Sequence, residues 1–238
     1  NTSAEDSSSQ YEYDFMNGAY NGSQTSSFVS WMFKRAKGFF DVVCYTGIGG
    51  TSGIAVAHNL GVMPEMMWVK SRSDATLWYV YTTFTGETNA LRLDTNASVA
   101  DELAWQDTEP TSTIATIGTD MNTNNSTYIL FLFATLAGVS KVGSYTGNGS
   151  SQNIACGFSA GARFVLIKRT DATGDWYFWD TERGIVTGND PHLSLNTTST
   201  EVTSDDSIDP QSAGFTVNQV SATNINVTSA TYIFLAIA

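Results

Sequence analysis

Charge is scarce in this 238-residue chain, and positive charge scarcest. There are 11 Lys and Arg against 23 Asp and Glu, a formal net charge of −12, with 14% of residues charged. With no cation cluster to release counterions from a phosphate backbone, nucleic acid is not an expected partner. Charge-driven adhesion to anionic lipid is disfavoured for the same reason. Long hydrophobic runs are also missing. The most apolar stretch, residues 128–137, is too short to span a bilayer, so membrane insertion is not expected. The two cysteines, Cys44 and Cys156, are too few for a disulfide framework. The two histidines, His58 and His192, have no partners at the spacing of a zinc site or a nucleophile–base pair, and are read as structural. No basic-then-apolar leader and no Met open the chain, which therefore reads as a piece of something longer.

What is present is apolar, aromatic and rich in turn formers. Hydrophobic residues make up 42% of the chain, enough for buried cores, and 13 Phe, 10 Tyr and 6 Trp favour strands over helices. Ser, Thr, Asn and Gly supply hydrogen-bonding turns between them. One sentence of sequence recurs. Residues 127–147 read as an apolar strand, a glycine, and a second strand closing on Tyr145-Thr146-Gly147. The same pattern runs from Phe28 through Gly38 to Tyr45-Thr46-Gly47, and its first half returns at Thr231 to Ala238. Between these seams the order also repeats: Val69-Lys70 with Ile167-Lys168, Trp78-Tyr79 with Trp176-Tyr177, Leu91 to Thr95 with Leu193 to Thr197. A period of about one hundred residues is the size of an independent domain and too long for a solenoid turn.

The expected fold is all-β: two tandem β-sandwich domains of about seven strands each, at residues 38–137 and 138–238. Residues 1–37 are expected to be the terminal portion of a preceding repeat, with strands at Tyr11 to Phe15 and Phe28 to Phe33. The runs 128–134 and 164–168 are apolar without alternation, which predicts central strands buried on both faces. Because almost no linker separates the units, the domains are expected to pack end to end with limited freedom.

Chemistry is thin. The glycine loops Thr46 to Gly50 and Thr146 to Gly149 lack the Lys-Ser/Thr and following helix of a phosphate loop and read as β-turns. Asp205, Asp206 and Asp209 could ligate Ca²⁺, but a solvated acidic loop explains them as well, and repeat one is also acidic from Glu102 to Asp107. No catalytic residue, metal or cofactor is expected. One aromatic surface is a candidate. In Trp176-Tyr177-Phe178-Trp179, alternate side chains face opposite ways. If Trp176 and Phe178 enter the core, Tyr177 and Trp179 could stack on sugar rings, as could Tyr79 and Tyr81 of the matching stretch. A second-sheet or subunit contact would account for that face equally.

Trp31-Met32-Phe33-Lys34-Arg35-Ala36 through Gly38-Phe39-Phe40-Asp41-Val42-Val43 to Tyr45-Thr46-Gly47 resembles a phrase of large bacteriophage and prophage structural proteins. So do His58-Asn59-Leu60-Gly61-Val62 with Pro64-Glu65-Met66, and Tyr145-Thr146-Gly147-Asn148-Gly149. The resemblance covers nearly the whole chain from Tyr11 and is to tail-fibre-like or otherwise virion-associated proteins carrying tandem β-rich units. It implies a non-enzymatic virion structural protein at the virion surface. The partners it implies are further copies of the chain in a homotrimer, other virion proteins and a host-surface glycan. Two other readings stand beside it: a secreted cellular carbohydrate-binding or adhesin module, and a glycan-degrading tailspike.

Overall fold

The computed structural model describes residues 31–238 in full. Upstream of them it describes only the backbone of one antiparallel pair, β1 (Glu12–Asp14) and β2 (Gly18–Tyr20). Most of the expected strand at 28–33 lies outside the described residues. Its last three residues belong to no strand.

Repeat one contains β3 (Phe40–Thr46), β4 (Ile54–Ala57), β5 (Met66–Ser71), β6 (Tyr79–Thr82), β7 (Asn89–Arg92), β8 (Ala100–Asp101), β9 (Ile114–Ile117) and β10 (Thr127–Phe133). Repeat two contains β11 (Ser140–Thr146), β12 (Gln152–Ala155), β13 (Phe164–Arg169), β14 (Trp176–Asp180), β15 (Leu193–Ser194), β16 (Ile208–Gln211), β17 (Gly214–Val217) and β18 (Thr231–Ile237). The fold is all-β and antiparallel, with no closed barrel. In repeat one a six-stranded sheet, β3-β10-β5-β6-β7-β8, is faced by the pair β4-β9. In repeat two a five-stranded sheet, β11-β18-β13-β14-β15, is faced by β12-β17-β16.

The closing strand of each repeat is central. Strand β10 sits between β3 and β5, with Tyr128 opposite both Tyr45 and Ser71. Strand β18 sits between β11 and β13 in the same way. Alternate residues of β10 then serve two cores. Tyr128, Leu130 and Leu132 face the small sheet of their own repeat. Phe131 and Phe133 face the other way, into a third cluster. In β18 the split is Tyr232, Phe234 and Ala236 against Ile233, Leu235 and Ile237. Apolar demand on both faces removes the alternation of a half-exposed strand.

The third cluster corrects the expected end-to-end array. It joins Phe40, Met66, Val80 and Leu91 of repeat one to Val142, Phe164, Leu166, Trp176, Phe178 and Leu235 of repeat two. The two large sheets lie face to face, with the small sheets outermost. The reason lies in the seam. After β10 the chain reverses within a few residues: Val139 N and Ser140 N both donate to the Leu136 carbonyl at 2.9 Å, and Gly138 takes φ 74°. A side chain is disfavoured at that φ, so glycine permits the turn. A short linker that bends the chain back lays one sheet on the other.

Polar ties border this interface. The Trp176 indole N–H donates to the Arg92 carbonyl (2.8 Å), Val99 N to the Thr170 carbonyl (3.1 Å) and Gly174 N to the Asn96 carbonyl (2.9 Å). Lys168, fully buried, extends its ammonium to the carbonyls of Arg169 (2.7 Å) and Asn96 (3.4 Å), and burial pushes its pKa down to about 8. Upstream, Trp31 and Phe33 add rings to the same layer. Trp31 meets Phe178 edge-on at 4.4 Å, and Phe33 meets Phe133 edge-on at 5.9 Å.

Candidate functional site

The candidate sugar-stacking surface does not exist as a surface. Strand β14 is covered on both faces. Trp176 and Phe178 enter the inter-repeat cluster, while Trp179, fully buried, enters the core of repeat two. Tyr79 and Tyr81 are likewise buried against the small sheet of repeat one. Tyr79 donates its hydroxyl to Asp120 (3.0 Å) beneath the Arg92 guanidinium, 4.5 Å from the ring centre, and Tyr81 meets Trp105 edge-on at 5.7 Å. Of the four rings only Tyr177 is half-exposed.

Tyr177 forms one wall of a polar cleft of about 170 Å³ shared with Asp175, His192, Thr197, Ser199 and Asp205. A second hollow of about 180 Å³ adjoins it past Asp175 and Tyr177, edged by Arg169, Thr223 and, from repeat one, Asn96. Beneath the cleft lies a buried polar layer. The His192 ring wedges between Tyr177 (5.4 Å) and Trp179 (5.3 Å). Its Nδ1 stands 3.6 Å from Asp205 Oδ1, too far for a hydrogen bond. Asp205 accepts from the Ser207 hydroxyl (2.7 Å), which lies 2.8 Å from the Thr223 hydroxyl. His192 Nδ1, Asp205 Oδ2 and Trp179 Nε1 are sealed from solvent without a hydrogen-bond partner. Burial pushes the Tyr177 hydroxyl up to about 12, with Asp175 and Asp205 adding to it. The phenol therefore stays neutral and serves as donor and acceptor.

Asp190 anchors the loop that carries His192. It is wholly buried, and its carboxylate accepts from Val186 N (3.0 Å) and Ile208 N (3.3 Å). Burial pushes its pKa up to about 7; Asp209 and Asp206 add to this against the two N–H donors. A raised folded-state pKa favours the protonated form. The stability contribution is therefore whole below the unfolded value near 3.8 and is lost as pH rises through 7. Folding free energy measured by urea titration should show a component falling by up to about 4 kcal/mol between pH 4 and pH 7. Asp190→Asn should remove that component whatever its absolute stability. Parallel pH curves for the two proteins would refute the assignment.

Repeat one has no such layer. Ala90 stands where His192 stands, and Trp105 fills the space against Tyr81 with its indole N–H on the Asn89 carbonyl (3.1 Å). Sequence spacing dismissed His192 for want of nearby partners, yet the return of the chain after β15, where His192 N and Val202 N exchange backbone bonds, brings Asp205 to it. The doublet Asp205-Asp206 offered the only signal. Among the described residues no group of three or more His, Cys, Asp or Glu is placed to hold a metal ion. The three loop carboxylates diverge: Asp205 turns inward to Ser207, whereas Asp206 and Asp209 both take the Asn218 amide (3.0 and 2.7 Å). His58 is structural in its geometry, accepting Leu60 N at Nδ1 (3.3 Å) and facing the Thr111 carbonyl at Nε2 (3.2 Å).

A family model described as a domain of unknown function (DUF7483) matches residues 10–238. No curated protein and no solved structure matches the chain.

Proposed function

For a chain that belongs to the DUF7483 family, we propose a non-enzymatic structural role. It is a module of a virion appendage, such as a phage tail fibre or receptor-binding fibre, that contacts a host-surface glycan. The observation that carries this reading is the apolar layer between the repeats, which joins two sandwiches into one body. A scaffold held in this way bears load and presents its loops in fixed positions. The tail-fibre resemblance of the seam residues supports the same role, and function then resides in a site grafted on the scaffold.

The sugar contact moves from the aromatic face to the cleft. Tyr177 offers a half-exposed ring and a neutral hydroxyl, Asp175 a carboxylate acceptor, and Thr197 and Ser199 further hydroxyls. A ligand rich in hydroxyl groups matches that mix. The homotrimer and virion-surface location rest on the resemblance. The apolar residues that also suggested a trimer find partners in the three clusters within this chain.

Immunogold labelling of intact particles and glycan-array binding test the proposal together. The expected result is label on an appendage, and binding to a host-surface glycan that Tyr177→Ala weakens at least tenfold with the fold intact. Recovery of the chain only among proteins secreted by cells would turn the reading to a cellular adhesin. Release of reducing ends from host polysaccharide would turn it to a glycan-degrading tailspike.

A further inference from the structure

The face-to-face layer is not filled. Between the two large sheets lies a cavity of about 310 Å³, at the lower end of the range of small-molecule sites. Its walls are rings: Trp68, Trp78, Phe131 and Phe133 from repeat one, Phe164 from repeat two, and Trp31 from the segment upstream. Trp78 lies nearly parallel to Phe131 (6.3 Å between centres, 17°), and Trp68 leans on Phe133 at 4.7 Å. Trp31 retains 36% of its surface exposed and stands at the rim, its indole N–H fixed on Asp180 (2.9 Å).

One wall group is charged. Asp94, half-buried, closes the turn after β7 by accepting Trp78 N at 3.0 Å through Oδ1. The matching position in repeat two is Asn196, which accepts Trp176 N at 2.8 Å in the same way. The backbone bond therefore requires only a side-chain oxygen, and the charge at Asp94 is not needed for it. Asp94 acts electrostatically on Lys70, against the effect of its burial, but the ammonium makes its hydrogen bonds to the carbonyls of Ser71 (2.8 Å) and Asp74 (3.1 Å). A ring-lined hollow with one carboxylate, in a protein of net charge −12, disfavours anions and attracts cations.

We propose that this cavity binds an organic ammonium ion with an apolar body, its cationic head against the aromatic faces and Asp94. Ring faces attract a cation through their quadrupole, most strongly for Trp, and the attraction grows as water is excluded. A nearby carboxylate offsets the cost of taking the cation out of water. An apolar guest of the same shape would gain only the burial of its surface.

Tryptophan fluorescence reads the site, since Trp31, Trp68 and Trp78 all line it. The probes are choline and the alcohol in which its nitrogen is replaced by carbon. Choline should give a saturable change at a concentration at least tenfold below that needed for the uncharged analogue. In Asp94→Asn, which keeps the oxygen that caps Trp78 N, the advantage of choline over its analogue should shrink at least threefold with the fold intact, leaving the share that the ring faces supply. Leu195→Trp, which fills the cavity from repeat two, should abolish both responses. Equal affinity of the two probes for the parent protein would overturn the proposal in favour of an apolar pocket. Absence of any saturable response in folded protein would reduce the cavity to a packing void.

Discussion

Trp176→Ala should lower the stability of the whole chain by about 3–5 kcal/mol, the usual cost of removing a large buried ring. Trp176 is 1% exposed within the layer between the sheets. It packs among residues of both repeats, and its indole N–H satisfies the Arg92 carbonyl across the interface. Truncation leaves a hole and an unsatisfied acceptor, and the two costs add. The loss should not stay in the repeat that carries the substitution. Hydrogen exchange should quicken at Val80 and Leu91 of β6 and β7, which face the same layer from repeat one. Phe215→Ala, in the private core of repeat two, serves as the control. It should speed exchange mainly around β12, β16 and β17. Exchange changes confined to repeat two in the Trp176 variant would show that the repeats do not stabilise each other through these faces.

Strand content was legible because each strand announces itself by β-branched and aromatic residues between turn formers. The tandem order was legible because two repeats carry the same residues at matching places. The unalternating run of β13 correctly announced burial on both faces, whereas β10 buries one face and leaves Ile129 and Phe131 of the other half-buried. What covers the second face was not legible. Phe131 facing a neighbouring repeat and Leu130 facing its own small sheet obey one apolar requirement, so nothing in either residue type tells them apart. End-to-end packing followed from the short linker, but a short linker containing a glycine at φ 74° can equally reverse the chain. The aromatic run of β14 misled for the same reason: Trp179 looked available for stacking once Trp176 was assigned to a core, and the strand has two cores. The cleft was hidden differently. His192 and Asp205 meet only because a loop returns after the two-residue strand β15, and a contact made by a loop leaves no period in the sequence.

Gly147→Ala should be among the costliest single-methyl additions in repeat two. A Cβ there would lie 2.2 Å from the Val227 carbonyl oxygen and 2.8 Å from the Asn226 carbonyl carbon, both backbone atoms. The strand end has no freedom to retreat. Gly147 N donates to the Ala230 carbonyl (2.8 Å), and its own carbonyl accepts Ser229 N (2.9 Å). The opposing backbone is pinned as well. Asn226, fully buried, accepts Asn148 N (3.0 Å) and donates to the carbonyls of Val217 (3.3 Å) and Ser150, while Tyr232 receives Val227 N on its hydroxyl (3.0 Å). Repeat one builds the same clamp: a Cβ on Gly47 would lie 2.2 Å from the Thr123 carbonyl oxygen, Asn122 holds the loop, and Thr123 N donates to Tyr128 (3.1 Å). The recurring Tyr-Thr-Gly therefore records a close approach of two backbones. Overpacking against fixed atoms costs about 3 kcal/mol, which for a chain of this size lowers the melting temperature by about 10 °C. Gly157 provides the contrast. Its φ is 74°, but open space surrounds a built Cβ, so alanine there should cost only the left-handed backbone strain, about 1 kcal/mol. Calorimetry of the two alanine variants decides the matter: a melting temperature for Gly147→Ala at or above that of Gly157→Ala would mean that the clamp yields and that the glycine of the seam is not required by packing.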